Sequence, residues 1–155
     1  MNSSNLPSGH ELETQKLVYN YLLSASFWLI VGTAYGLIAA VKLYWPEALE
    51  YPIFSFGRIR PIHTNIVLFG WSSMALVGLA LYVVTRTSKT PLVRPQIARL
   101  GMYCWNSCMV LAVITLSLGI SRGPQEYREL LWPIMLLYGI GLGCNFYTAY
   151  QTLAN

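Results

Sequence analysis

The sequence predicts an all-α integral membrane protein of four transmembrane helices, and three observations carry that expectation. Of its 155 residues 55% are hydrophobic and only 10% are charged, against about a quarter charged in a typical soluble domain. Four apolar runs, about 17–43, 62–84, 97–120 and 130–153, reach the roughly 20 residues that cross a bilayer as a helix. The connections between them are short, so neighbouring helices run antiparallel within one transmembrane domain, 1–155. Helices satisfy their own backbone hydrogen bonds, as lipid demands. The same composition excludes a disordered chain and a disulfide-stapled scaffold.

The first sixteen residues, MNSSNLPSGHELETQK, are polar and lack the basic start and short apolar core of a secretory signal. Span one starts near Leu17 and carries Gly32 and Gly36, four apart, a spacing that lets helix backbones approach closely. Span two opens at Ile62, just after Arg58 and Arg60, and holds His63 in its first turn. Arg86, Lys89, Arg94 and Arg99 follow it with no acid among them. The excess of Lys and Arg assigns that loop, and with it both termini, to the cytoplasm. The connections Tyr44–Pro61 and Ser121–Glu129, of mixed charge, then lie outside, with Trp45 and Trp132 as interfacial anchors. Span three carries Cys104, Asn106 and Cys108; span four carries Gly139, Gly143, Cys144 and Asn145. The thiols read as inert buried groups. The amides Asn65, Asn106 and Asn145 read as hydrogen-bonding groups between helices. The net charge of +4 is not gathered on a soluble face, so the partner it implies is the lipid bilayer and not nucleic acid.

One stretch, SFGRIRPIHT, places two guanidinium groups and an imidazole at the mouth of span two. An ionisable residue inside a membrane is a functional hypothesis by default. Neutral imidazole is the commonest ligand for protein-bound metals and haem iron. Arginine pairs with carboxylates in a rigid two-pronged geometry, which suits haem propionates turned outward. The plainer alternatives are a histidine bonded to a carbonyl and arginines snorkelling to lipid phosphate. At the outer start of span four, Glu126 and Glu129 are three apart, a donor pair that suits a hard cation such as calcium. Their plainer alternative is a solvated loop paired with Arg122 and Arg128. The sequence contains no glycine-rich phosphate loop and no nucleophile–base pair.

These residues resemble a known family. SFGRIRPIHT resembles the start of the second transmembrane helix in the catalytic subunit of cbb3-type cytochrome c oxidases, a branch of the haem–copper oxidase superfamily. VYNY, YWPEAL, YVVTRT and QEYRELLWP follow in the family's order, so the resemblance runs over nearly the whole chain. It implies that the four spans are part of a subunit I bundle in a bacterial inner membrane, with His63 an axial ligand of low-spin haem b. Arg60 and Arg58 would then stand by the propionates, and Glu126, with Glu129 nearby, would hold calcium. It further implies a proton-translocating oxidoreductase fed with electrons through cytochrome c-type subunits.

The departures are specific. The family's subunit has about a dozen spans and this sequence offers four. The second axial histidine, the copper ligands, the high-spin haem ligand and the histidine–tyrosine crosslink are all missing, and Leu131 stands where the family often has an acid or a proline. No residue here is therefore assigned a catalytic role. Copper and high-spin haem are expected on a chain or segment carrying the remaining helices. A split or truncated catalytic subunit, a stand-alone dimeric b-type cytochrome, a packing or assembly subunit and a nitric oxide reductase fragment all fit the same residues. The first is the reading taken here, and a nitric oxide reductase fragment fits less well, because GRIRPIHT matches the oxidase form better.

Overall fold

The structure, a computed structural model, describes residues 9–123 and 128–155. Four long helices carry the described residues: α1 (Gly9–Tyr44), α2 (Phe56–Ser88), α3 (Pro95–Ser117) and α4 (Trp132–Leu153). Among the described residues α1, α2 and α3 are long and apolar enough to cross a membrane. The expected fourth span is a helix of 22 residues, about 33 Å at 1.5 Å per residue, but it is less apolar than the other three. The reason is visible in its packing. Asn145, Thr148 and Thr152 are buried against the bundle, so their polarity is spent inside and not on lipid.

The helix ends depart from the apolar runs for physical reasons. Helix α1 begins at Gly9, well before Leu17. Its polar first turns are held by the Glu13–Arg99 ion pair, at 3.0 Å, and by Thr14 Oγ1, which accepts from the Leu92 N–H at 3.2 Å. Helix α2 begins at Phe56, upstream of the expected boundary at Pro61. The Ser55 carbonyl accepts from the N–H groups of Arg58 and Ile59, and the hydrogen bond that Pro61 removes falls opposite Gly57, which is exposed. Arg58 and Arg60 are thus helical residues and not loop residues. Helix α3 starts on Pro95, where a missing N–H costs nothing. It ends at Ser117 and not at 120, because Gly119 turns the chain with φ +78°.

Helix α2 is not uniform. Ile66–Ser72 forms a π-helical segment between α-helical Phe56–Asn65 and Ser73–Ser88. The Trp105 indole of α3 donates to the Phe69 carbonyl in this segment at 2.8 Å. Tyr138 of α4 packs edge-on against both Phe69 and Trp105.

Helices α1 and α2 pack along their lengths, as do α3 and α4, and α2 joins the two pairs. At Gly32 a Cβ would meet Val67 at 3.0 Å, and at Gly36 the His63 ring at 2.6 Å. The spacing of these two glycines therefore serves the α1–α2 contact. In α4 the expected pair does not serve packing: Gly139 and Gly143 face open space. The close approach is made by Gly141, where a Cβ would lie 2.9 Å from the Gly101 carbonyl oxygen of α3. Tyr21, Trp105, Ile62, Ile66, Met74 and Met109 form the fully buried centre.

The amides bridge helices. Asn106 Oδ1 accepts from Ser24 Oγ and Trp28 Nε1, both at 2.8 Å. Asn145 Oδ1 accepts from the Tyr21 hydroxyl at 2.7 Å. Much of the apolar surface stays outward: only 17% of the most apolar window of α1 is buried within the chain. Such a face requires lipid or further helices around it.

Candidate functional site

His63 is half-buried where α2 crosses α1. Its Nδ1 lies 2.7 Å from the Gly32 carbonyl oxygen. A carbonyl only accepts, so Nδ1 carries the proton and donates it. The other ring nitrogen, Nε2, then holds the lone pair that a metal takes. A backbone carbonyl fixing the tautomer is the usual outer support of a metal-bound histidine. Gly36 admits the ring, since any Cβ there would strike Cε1 at 2.6 Å and Nδ1 at 2.7 Å.

The two arginines take different directions. At about 100° per residue, Arg60 stands about 60° around α2 from His63, one turn toward the helix mouth. Arg58 is rotated about 140° from His63 on the same count. Arg60 is exposed and Arg58 is half-buried. Arg58 Nη1 donates to the Ser117 carbonyl at 3.0 Å, and its guanidinium covers Gly119, where a Cβ would lie 2.9 Å from Nη2. The end of α3 explains this. Gly119 N–H bonds to the Leu116 carbonyl and Ile120 N–H to the Thr115 carbonyl, the paired bonds of a glycine-terminated helix. The Ser117 carbonyl is left for Arg58, at the negative end of the helix dipole.

Arg58, Arg60, Pro61, Gly119 and Glu129 line a pocket of about 600 Å³ at this end of the bundle. His63 is not among its lining residues. The stretches around Arg58 and Glu129 thus meet, while the imidazole faces α1. Glu129 is half-buried, and its Oε2 accepts from Asn65 Nδ2 at 3.2 Å. Asn65 also donates to the Pro61 carbonyl at 2.8 Å. Its Oδ1 is buried with no hydrogen-bond partner among the described residues. Glu126 lies outside the described residues, and among the described residues no three His, Cys, Asp or Glu side chains cluster as a metal site.

Sequence reasoning assigned Asn65 to packing and passed over Ser117 and Gly119. Gly119 had a readable signal, a glycine just past an apolar helical run. The pairing of Asn65 with Glu129 had none, because 64 positions separate them.

Comparison with known proteins decides the lineage. The family described as Cytochrome C and Quinol oxidase polypeptide I matches residues 16–154. The chain belongs to this family. This polypeptide I chain is 39% identical over 126 residues to the "Cbb3-type cytochrome c oxidase subunit CcoN1" of Stutzerimonas stutzeri, covering 81% of the chain and 26% of that protein. It is 33% identical over 115 residues to a "Cytochrome c oxidase subunit 1 homolog" of Agrobacterium tumefaciens, covering 74% of the chain and 21% of the relative. It is 35% identical over 125 residues to "Cytochrome c oxidase subunit 1" of Rhodobacter capsulatus, covering 77% and 23%. The chain therefore spans about a quarter of the length of the curated relatives it matches.

Polypeptide I of the haem–copper oxidases implies haem as the cofactor class. The residues present fit such a group: a histidine with its Nδ1 proton committed to a carbonyl, a glycine admitting its ring, and guanidinium groups at the same end of α2.

Proposed function

We propose that the chain forms the first four spans of a cbb3-type oxidase catalytic subunit and holds one side of low-spin haem b. The bond from His63 Nδ1 to the Gly32 carbonyl carries this reading, because it leaves Nε2 as the ligand atom. Haem iron, once bound, supplies one-electron transfer between a cytochrome c-type donor and an oxygen-reducing centre on the remaining helices. The protein's own groups position and tune. Gly32 holds the imidazole tautomer and its orientation. Gly36 leaves room for the ring. Arg60, on the His63 side of α2, is placed to neutralise a propionate. Arg58 clamps the end of α3 through Ser117 and turns its remaining donors toward the shared pocket.

Glu129 and Glu126 are the proposed carboxylates for calcium. The buried Asn65 Oδ1 supports this, as a neutral oxygen beside Glu129 of the kind a hard cation takes. The fourth span, cytoplasmic termini and a bacterial inner-membrane location belong to the same proposal, as does proton translocation by the assembled enzyme.

The test is purification from membranes in mild detergent with co-purifying chains, followed by a reduced-minus-oxidised spectrum of wild type and His63→Ala. A low-spin b-type signal present with larger partner chains and absent in the variant supports the proposal. A haem-bearing dimer of this chain without partners replaces it with a stand-alone cytochrome. A folded, partner-bound chain whose haem signal survives the substitution removes His63 from the chemistry.

A further inference from the structure

The other end of the bundle carries a second cavity, of about 260 Å³, between the start of α1 and the end of α2. Arg86 and Lys89 supply its cations, Thr85 and Thr90 its hydroxyls, and Glu11 and Gln15 of α1 also line it. Arg86 lies 5.1 Å from the centre of the Tyr82 ring, a contact that holds a guanidinium in place. Lys89 sits in the left-handed region, φ 55°, where the chain leaves the helix. Near the end of α2, Thr85 donates to the Tyr82 carbonyl, Thr87 to Val83 and Ser88 to Val84.

We propose that this cavity binds the headgroup of an anionic glycerophospholipid of the phosphatidylglycerol type. Two cations and one carboxylate leave a lining charge of +1, which matches a single phosphodiester. The threonines, Gln15 and Glu11 suit a headgroup that carries hydroxyls. Basic pockets between transmembrane helices on the cytoplasmic side are typical seats for acidic lipid headgroups. The site rests on the orientation that the positive residues assign, and is independent of haem binding.

The full chain in mild detergent is mixed separately with phosphatidylglycerol, phosphatidylethanolamine and phosphatidylcholine, and retained lipid is read by native mass spectrometry. The wild type is expected to retain one phosphatidylglycerol in preference to the other two. Arg86→Gln with Lys89→Gln is expected to lower that retention by at least tenfold, each basic residue near an acidic headgroup contributing about a factor of five. Arg94→Gln, a loop cation outside this cavity, is expected to leave it unchanged. Circular dichroism checks that the variants stay helical. Equal retention of the three lipids overturns the proposal. So does preference for phosphatidylethanolamine, equal loss on Arg94→Gln, or displacement by inorganic phosphate at millimolar concentration, which would mark a free-phosphate site.

Discussion

His63 and Gly32 are joined across two helices by a 2.7 Å hydrogen bond from the imidazole Nδ1 to a backbone carbonyl. The bond orients a ring that has no room to move on its α1 side, because Gly36 lies directly beneath it. Immediately beyond this turn α2 becomes π-helical, from Ile66 to Ser72. Segments of this kind are frequent at functional sites, where they re-aim side chains.

Gly36→Ala is expected to push the imidazole off this bond. Over-packing of this order costs about 1–3 kcal/mol, and the low-spin signal should fall with it. Gly143→Ala has open space around its new methyl group and should be neutral or gain up to about 1 kcal/mol from helix propensity. Detergent-titrated unfolding, followed by circular dichroism, compares the two. Equal effects would refute the close packing at Gly36.

Gly119→Ala places a Cβ at φ +78° and 2.9 Å from the Arg58 guanidinium. The backbone conformation alone costs about 1–3 kcal/mol. Arg58→Gln removes the obstructing group, so the double variant should lose less than the sum of the singles. Strict additivity in the same unfolding measurement would contradict contact between the two residues.

Asn106→Ala removes the acceptor shared by Ser24 and Trp28. Hydrogen bonds between transmembrane helices contribute about 0.6–1.7 kcal/mol, so a loss of about 1–3 kcal/mol is expected. No loss of stability in the same unfolding measurement would show that the indole and the Ser24 hydroxyl find other partners.

Glu129→Gln removes the carboxylate paired with Asn65. If Glu129 helps to hold a cation, calcium retained by the purified complex should fall by tenfold or more, measured by elemental mass spectrometry after chelator washing. Asn65→Leu should lower it less, since a neutral oxygen contributes less than a charged one. Unchanged calcium in both would leave these two residues as a local hydrogen-bonded pair.

Four helices, their order and the histidine in the second were legible because apolar runs and a lone ionisable residue stand out in one dimension. Gly32 and Gly36 were legible as a packing surface, while their partner, the His63 turn, was not. The extension of α1 to Gly9 was hidden because its support, the Leu92 N–H and Arg99, comes from the distant loop before α3 and from the first turns of α3. Arg58 and Arg60 read as one outward group when placed in a loop. Starting the helix at Phe56 sends them to different sides of α2, and only one stays near His63. In α4 the motif spacing favoured Gly139 and Gly143, yet contact went to Gly141, because the buried row Ile134, Gly141, Asn145, Thr148 and Thr152 decides which face turns inward.

Chemical rescue tests ligation at His63 most directly. The assembled complex carrying His63→Gly is purified, and its reduced-minus-oxidised spectrum is recorded before and after addition of imidazole. Loss of the low-spin b-type signal in the variant, with return when imidazole fills the space left by the side chain, is the predicted result. A low-spin signal that persists in His63→Gly without imidazole would contradict the account.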